Sequence, residues 1–251
     1  FIGVKTQRFA SDHSVTFALF LNSFSSGQSP IISYTIYKGE INMLELNKQE
    51  KAYYKKMLSN TSKLGVKSIS LNAKKCKTGS KLAKKKGSVC HGCYALKGCY
   101  QFPVVKEAMA RRMKFFYHKD FIPIMVWLLQ SQTKKFFRWF DSGDVQNVIM
   151  ALNILEICKQ TPNIKHWIPS KEYKIWRDVL KIEQLPSNVC LRISSPNIDQ
   201  EPLKGFNNTS TVHKDAAAFG LECIAYKQDG KCLDCKACYD TKVKNVSYPK
   251  H

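Results

Sequence analysis

The sequence predicts an α/β protein in which strand–helix repeats form a parallel sheet or partial barrel, with two cysteine-rich metal-binding segments. Three observations carry this prediction. Short apolar strands alternate with amphipathic helix-length stretches from about Phe136 onward. Eight of the ten cysteines fall into two groups, Cys76, Cys90, Cys93 and Cys99, then Cys223, Cys232, Cys235 and Cys238. The chain, at 251 residues, is long enough for one full core, or one core with a smaller module.

Taken in order, residues 1–60 read as an N-terminal extension or small subdomain, and residues 61–251 as the cysteine-rich α/β domain. Ile32, Tyr34 and Ile36 alternate within residues 31–37, which suits a strand, and the charged residues 42–58 suit a helix. The chain opens on Phe1 rather than Met, so upstream sequence is expected. Residues 64–71 read as a short strand leading into the first cysteine loop. Pro103 fits the first turn of a helix over 103–118, with Val105, Met109, Met113 and Phe116 as its apolar stripe. A second helix over 120–133 takes Asp120 as N-cap. The repeating pattern then runs strand 136–140, helix 145–159, strand 164–168, helix 171–181 capped by Ser170, and strand 188–194. Residues 221–226 read as a fourth strand.

Charge is the compositional outlier. Forty Lys and Arg oppose nineteen Asp and Glu, for a net +21, and residues 61–120 hold fifteen of those bases against two acids. Self-repulsion on that scale is tolerated where the partner is a polyanion, so nucleic acid, DNA or RNA, is the expected partner. The expected phosphate contacts are Lys77, Lys81, Lys84, Lys85 and Lys86 in the cysteine loop, with Arg111, Arg112 and Lys114 on the helix that follows. Tyr94, Tyr100 and Phe102 interleave with them and suit either base stacking or packing around a metal site. The longest apolar run, FIPIMVWLL at 121–129, is too short to cross a bilayer, so no membrane partner and an intracellular setting are expected. In that setting cysteines serve as metal ligands or buried thiols rather than disulfides.

Cys90-x2-Cys93-x5-Cys99 with Cys76 upstream supplies four thiolates, and Cys232-x2-Cys235-x2-Cys238 with Cys223 supplies four more. Zinc is commonly held by two separated cysteine pairs, whereas three cysteines at repeated x2 spacing suit the larger [4Fe–4S] cube. One or two iron–sulfur clusters are therefore expected, with structural zinc and metal-free thiols as the alternatives. Cys158 and Cys190 read as core thiols. Radical S-adenosylmethionine enzymes place three cluster cysteines at C-x3-C-x2-C and keep one iron free for the cofactor. That spacing is absent here, and four ligands per group would leave no iron open, so cofactor cleavage is disfavoured.

Asp141-Ser142-Gly143-Asp144 closes the strand at 136–140, and the C-terminal ends of parallel strands are where α/β proteins hold functional groups. Asp141 and Asp144 are the candidate catalytic carboxylates; a helix cap for Asp144 and a turn for Gly143 are the alternative roles. Ser170, Lys171, Ser194 and Ser195 are further strand-end groups.

The order KLGVKSISL, CYALKG, FRWFDSGD, KHWIPSK and a terminal C-x2-C-x2-C resembles the phage gene product 88 family, over roughly residues 63–251. The CYA element matches Cys93, Tyr94 and Ala95, and the SGD element matches Ser142, Gly143 and Asp144. The family's C-terminal cysteines match Cys223, Cys232, Cys235 and Cys238. The long lysine loop after Cys76 and a cysteine at position 99 depart from its pattern. The resemblance implies a phage origin and the cytoplasm of an infected host cell, and carries no established activity. The residues themselves point to a metal-binding protein acting on nucleic acid, either a processing enzyme or a non-catalytic subunit of a phage replication or transcription assembly with other phage or host proteins. A redox protein is the weaker alternative.

Overall fold

In the computed structural model of the chain, the backbone of residues 4–11, 14–21 and 31–37 and the whole of residues 45–250 are described. The chain divides into two units, Phe1–Glu45 and Leu46–His251. The first holds an antiparallel sheet of β1 (Val4–Ser11), β2 (Ser14–Leu21) and β3 (Ile31–Tyr37), with β2 in the middle. The strand expected over 31–37 is thus present.

The second unit opens on α1 (Lys48–Lys55), started by a capping box in which Asn47 Oδ1 accepts from the Glu50 amide and the Glu50 carboxylate accepts from the Asn47 amide. Residues 42–44 of the longer helix expected there lie outside the described residues. Its sheet comprises β4 (Ser59–Asn60), β5 (Lys67–Ile69), β6 (Phe136–Trp139), β7 (Lys165–Ser170), β8 (Val189–Ser194), β9 (Thr209–His213), β10 (Leu221–Glu222) and β11 (Asn245–Pro249). The strand order is β10-β11-β9-β8-β7-β6-β5-β4. Every pairing from β5 across to β10 is parallel, and only β4 runs antiparallel. The fold is therefore the α/β class read from the sequence. The expected strand over 221–226 stops at Glu222 and continues as a 3-10 turn, Ile224–Lys227.

Crossovers are made by α2 (Lys77–Leu82), α3 (Pro103–Phe116), α4 (Phe121–Gln130), α5 (Val148–Gln160) and α6 (Tyr173–Ile182). The buried side of α3 is Met109, Arg112, Phe115 and Phe116, which replaces Val105 and Met113 of the expected stripe. Asn147, not Asp144, caps α5, accepting from the Met150 amide at 2.8 Å.

Parallel register sorts the side chains onto two faces. Phe137 and His166 are partnered across β6 and β7 and, with Trp139, face the helices; Arg138, Trp167 and Cys190 are partnered across β6, β7 and β8 on the opposite face. On the helix side the Trp139 indole donates to His166 Nδ1 at 3.3 Å, which leaves the proton on Nε2 to reach Thr161 Oγ1 at 2.9 Å. Thr161 in turn donates to the Ile157 carbonyl. Burial pushes the His166 pKa down to about 3, so the ring is a neutral link in the core. The opposite face is covered by the 3-10 turn Ala237–Tyr239, whose Tyr239 ring packs on Phe136 and Trp167.

Candidate functional site

The C-terminal edge of the sheet is tied together around the SGD element. Leu71, beyond β5, donates its amide to the Ser142 carbonyl and accepts from Ser142 Oγ, both at 2.9 Å. Gly143 has a φ of +78°, and a Cβ there would stand 2.6 Å from both Cβ and the carbonyl oxygen of Leu71. Only glycine lets the two strand ends close to this distance.

Both aspartates expected to be catalytic are brought to this edge, and both carboxylates are engaged. Asp141 Oδ1 pairs with Arg138 Nη1 at 2.7 Å, while its Oδ2 accepts from the Tyr100 hydroxyl at 3.4 Å. Asp144 Oδ1 accepts from the Val145 amide and from Ser170 Oγ, and Oδ2 from the Lys171 amide, at 2.7–2.8 Å. Burial raises its pKa to about 6 against the opposing pull of those three donors. Asp144 fastens the end of β6 to the end of β7. Ser170, expected to cap α6, instead donates to Asp144 and accepts from the Glu172 amide.

The first cysteine loop docks on the same edge. The Thr78 amide and hydroxyl both donate to the buried Glu172 carboxylate, at 2.7 and 2.6 Å. The Tyr94 hydroxyl donates to the Asp141 carbonyl at 2.6 Å, although the residue is 60% exposed. Val89 and Ile198 add backbone bonds to Pro196 and Gly87, next to the end of β8. The sulfurs of Cys76 and Cys90 lie 3.6 and 3.7 Å from the point a Gly79 Cβ would occupy, and Cys93 follows within one turn, its amide on the Cys90 carbonyl. Burial pushes the Cys76 and Cys90 thiols up; Lys171 pulls both down. Cys99 is exposed on the next 3-10 turn, Gly98–Gln101, beside Tyr100.

The second cysteine group lies between β10 and β11; Cys232 is within electrostatic reach of Cys223 and Cys235, and Cys238 of Cys223 and Cys232. Burial raises Cys238 to about 11, while the Tyr248 hydroxyl, 3.2 Å from its sulfur, and Arg192 lower it. Arg192 is the residue that sequence reasoning missed. It comes from the middle of β8, is fully buried, and donates to the carbonyls of Cys238, Thr209, Ala237 and Asp240 at 2.8–3.2 Å. Among the described residues no carboxylate pairs with it. An arginine inside an otherwise apolar strand, VCLRIS, was the available signal.

Among the described residues no three His, Cys, Asp or Glu side chains converge at the spacing of one bound ion. On the face opposite the helices Arg138 Nε, Trp167 Nε1 and the Tyr239 hydroxyl are buried without a hydrogen-bond partner among the described residues. Arg138 stacks over the Trp167 ring at 4.6 Å, and Trp167 meets Tyr239 at 5.9 Å.

The expected phosphate contacts divide. Lys77, Lys81, Lys84, Lys85, Lys86 and Lys114 are exposed and Arg111 is half-buried. Arg112 is a correction: it is buried, and its Nε donates to the Met57 carbonyl at 2.8 Å, because α3 turns this residue onto α1 rather than to solvent. Arg111 and Lys114 instead line a cavity of about 430 Å³ with Tyr53, Tyr54, Phe115 and His118. Among the described residues no helix is long and apolar enough to cross a membrane.

With this geometry in place, comparison with known proteins gives one match: the model of the family described as Gene product 88 aligns with residues 42–242. The chain belongs to the Gene product 88 family. This is the phage family that the order of its motifs resembles, and the matched span takes in the SGD edge and both cysteine groups. No curated protein and no solved structure matches the chain.

Proposed function

We propose that the chain is a phage protein that acts on nucleic acid and is completed by two metal–thiolate centres of iron–sulfur type. The observation that carries this reading is Arg192. A buried guanidinium without a counter-ion is costly, and four carbonyl acceptors solvate it without neutralising it. The group beside it that becomes negative on binding metal is the four-thiolate set ending at Cys238. All eight candidate ligands are thiols, which suit zinc and iron–sulfur alike; the wider spread of a cube favours the cluster, since among the described residues no three of them converge at the spacing of one ion. Cys223, Cys232, Cys235 and Cys238 would hold one cluster and Cys76, Cys90 and Cys93, with Cys99 beside them, the other. Such clusters supply electron transfer or Lewis acidity when bound.

Nucleic acid is supported by the exposed lysines of the first loop and by the cavity where Tyr53, Tyr54 and His118 meet Arg111 and Lys114. Aromatic faces with cations beside them suit the stacking of unpaired bases. Processing at the sheet edge uses Asp141 and Asp144 as positioning groups, since each carboxylate is already occupied. Full engagement of both aspartates also favours a second reading, a non-catalytic binding subunit.

The test is the absorbance spectrum and metal content of anaerobically purified protein, with single-strand binding across a salt series. A broad band near 400 nm, about four irons per centre and a steep salt dependence are expected. Colourless protein holding zinc, or salt-independent binding, would overturn the reading. Asp141→Asn with activity and binding both intact would remove that residue from any chemistry.

A further inference from the structure

The inference concerns the first cysteine group and rests on its iron–sulfur reading. The objection to a reactive cluster was that four cysteines would close every iron. Their placement removes it. Cys76 and Cys90 flank the Gly79 position, Cys93 is bonded one turn beyond Cys90, and all three sit in the stretch fastened to Glu172, Asp141 and Pro196 at the sheet edge. Cys99 is exposed on the following turn, which reaches the same edge only through the Tyr100 hydroxyl, 3.4 Å from Asp141 Oδ2. The unusual spacing, Cys76-x13-Cys90-x2-Cys93, is filled by α2 and the lysine turn. Ligation depends on where the thiols end up and not on the number of residues between them.

Three thiolates on a four-iron cube leave one iron without a protein ligand. In this position that iron lies at the C-terminal edge of a parallel sheet, where α/β folds bind small molecules. Lys171 stands at the same edge. Its amide is fixed on Asp144 and its charge acts on both Cys76 and Cys90, yet among the described residues it pairs with no carboxylate. A half-buried lysine with no carboxylate partner among the described residues, at the edge that carries an open iron, selects a ligand that brings its own carboxylate.

We propose that the first centre is an open, three-thiolate cluster whose free iron is chelated by the amine and carboxylate of an α-amino-acid moiety, with Lys171 against the carboxylate. S-adenosylmethionine carries that moiety and is the ligand that other three-cysteine clusters take, so it is the probe. The second centre, with four thiolates, is closed and binds nothing further.

The experiment uses the full chain, anaerobically reconstituted and reduced, and follows the electron paramagnetic resonance of its clusters with and without S-adenosylmethionine. The expected result is that part of the signal shifts on addition while the rest is unmoved. Cys99→Ala keeps the full iron content and the shift; Cys93→Ala loses about four irons and the shift together. Lys171→Gln keeps its iron and binds the probe about tenfold more weakly, the scale of one charge-assisted hydrogen bond. A signal indifferent to S-adenosylmethionine in iron-loaded protein, or loss of iron in Cys99→Ala equal to that in Cys93→Ala, overturns the open cluster while leaving the iron–sulfur reading intact. Protein that takes up no iron overturns both.

Discussion

Replacing Arg192 by Met tests whether the second cysteine group is a charged centre or only a packed loop. Met keeps much of the side-chain volume and removes the charge together with four hydrogen bonds to the carbonyls of Cys238, Thr209, Ala237 and Asp240. Two of these acceptors, Ala237 and Cys238, belong to the turn that presents a candidate ligand. Breaking a buried charged network by deleting one partner costs roughly 3–5 kcal/mol. If that were the whole effect, the cost would be the same with and without metal. A thiolate centre adds a coupling, since the lost positive charge acts on Cys238 and offsets its negative charge. Residues beside metal ligands change metal affinity by about 10–100-fold, which sets the expected size of that coupling. The assay is competition for iron or zinc against a chelator, in wild type and Arg192→Met, with urea unfolding of each form as the control. Unchanged metal affinity in Arg192→Met, alongside the expected loss of stability, would refute the counter-charge reasoning and leave Arg192 as a structural donor alone.

Four further outcomes follow from the geometry. Gly143→Ala places a methyl group 2.6 Å from the Leu71 backbone at a φ of +78°, at a cost of roughly 3 kcal/mol; melting should fall by about 6–12 °C in calorimetry. Asp144 holds a proton in the folded state up to about pH 6, against 3.8 unfolded. Between those values the native state binds the extra proton, so stability falls as pH rises through the window, by on the order of 2–3 kcal/mol, and is level above it. Asp144→Asn should lack that slope in urea titrations at successive pH values; an identical slope would mean the carboxyl does not titrate there. Replacing Lys84, Lys85 and Lys86 by Gln should lower the salt slope of nucleic-acid binding by about 2–3, with unfolding unchanged. Arg112→Gln should do the reverse, destabilising the protein through the lost Met57 contact and sparing the slope.

What the sequence made legible follows from how each element earns its stability. β6, β7 and β8 bury apolar residues on both faces and sit between well-patterned helices, so hydrophobic period alone marks them. β9 and β11 escaped because, Val246 apart, their buried side chains are polar: Thr209 donates to Asn245 Oδ1, Asn245 donates to Thr211, and Thr211 donates to Ser247. Such residues read as loop until their partners, some 35 positions away, are known. The SGD edge was visible as a strand end, yet the role of Asp144 depends on Ser170 and Lys171, which no local pattern connects to it. Arg112 and Arg192 were hidden for a related reason. A basic residue is assigned to solvent by default, and only tertiary packing shows that carbonyls have taken the place of water.

The strand order carries a consequence for the timing of synthesis. β11 lies between β9 and β10, although both precede it in the chain, and β10 is joined to the sheet only through β11. Until residues 245–249 have left the ribosome, β9 is an open edge, β10 has nowhere to pair, and Cys223, whose amide donates to the Ser247 carbonyl, has no anchor. The polar ladder then admits β11 in one register only, because a slip by one residue would separate Thr209 from Asn245 and Thr211 from Ser247. The gathering of that cysteine group thereby waits for the synthesis of β11. A chain broken off between Cys238 and Asn245 keeps its thiols but not the strand that holds Cys223 beside the others.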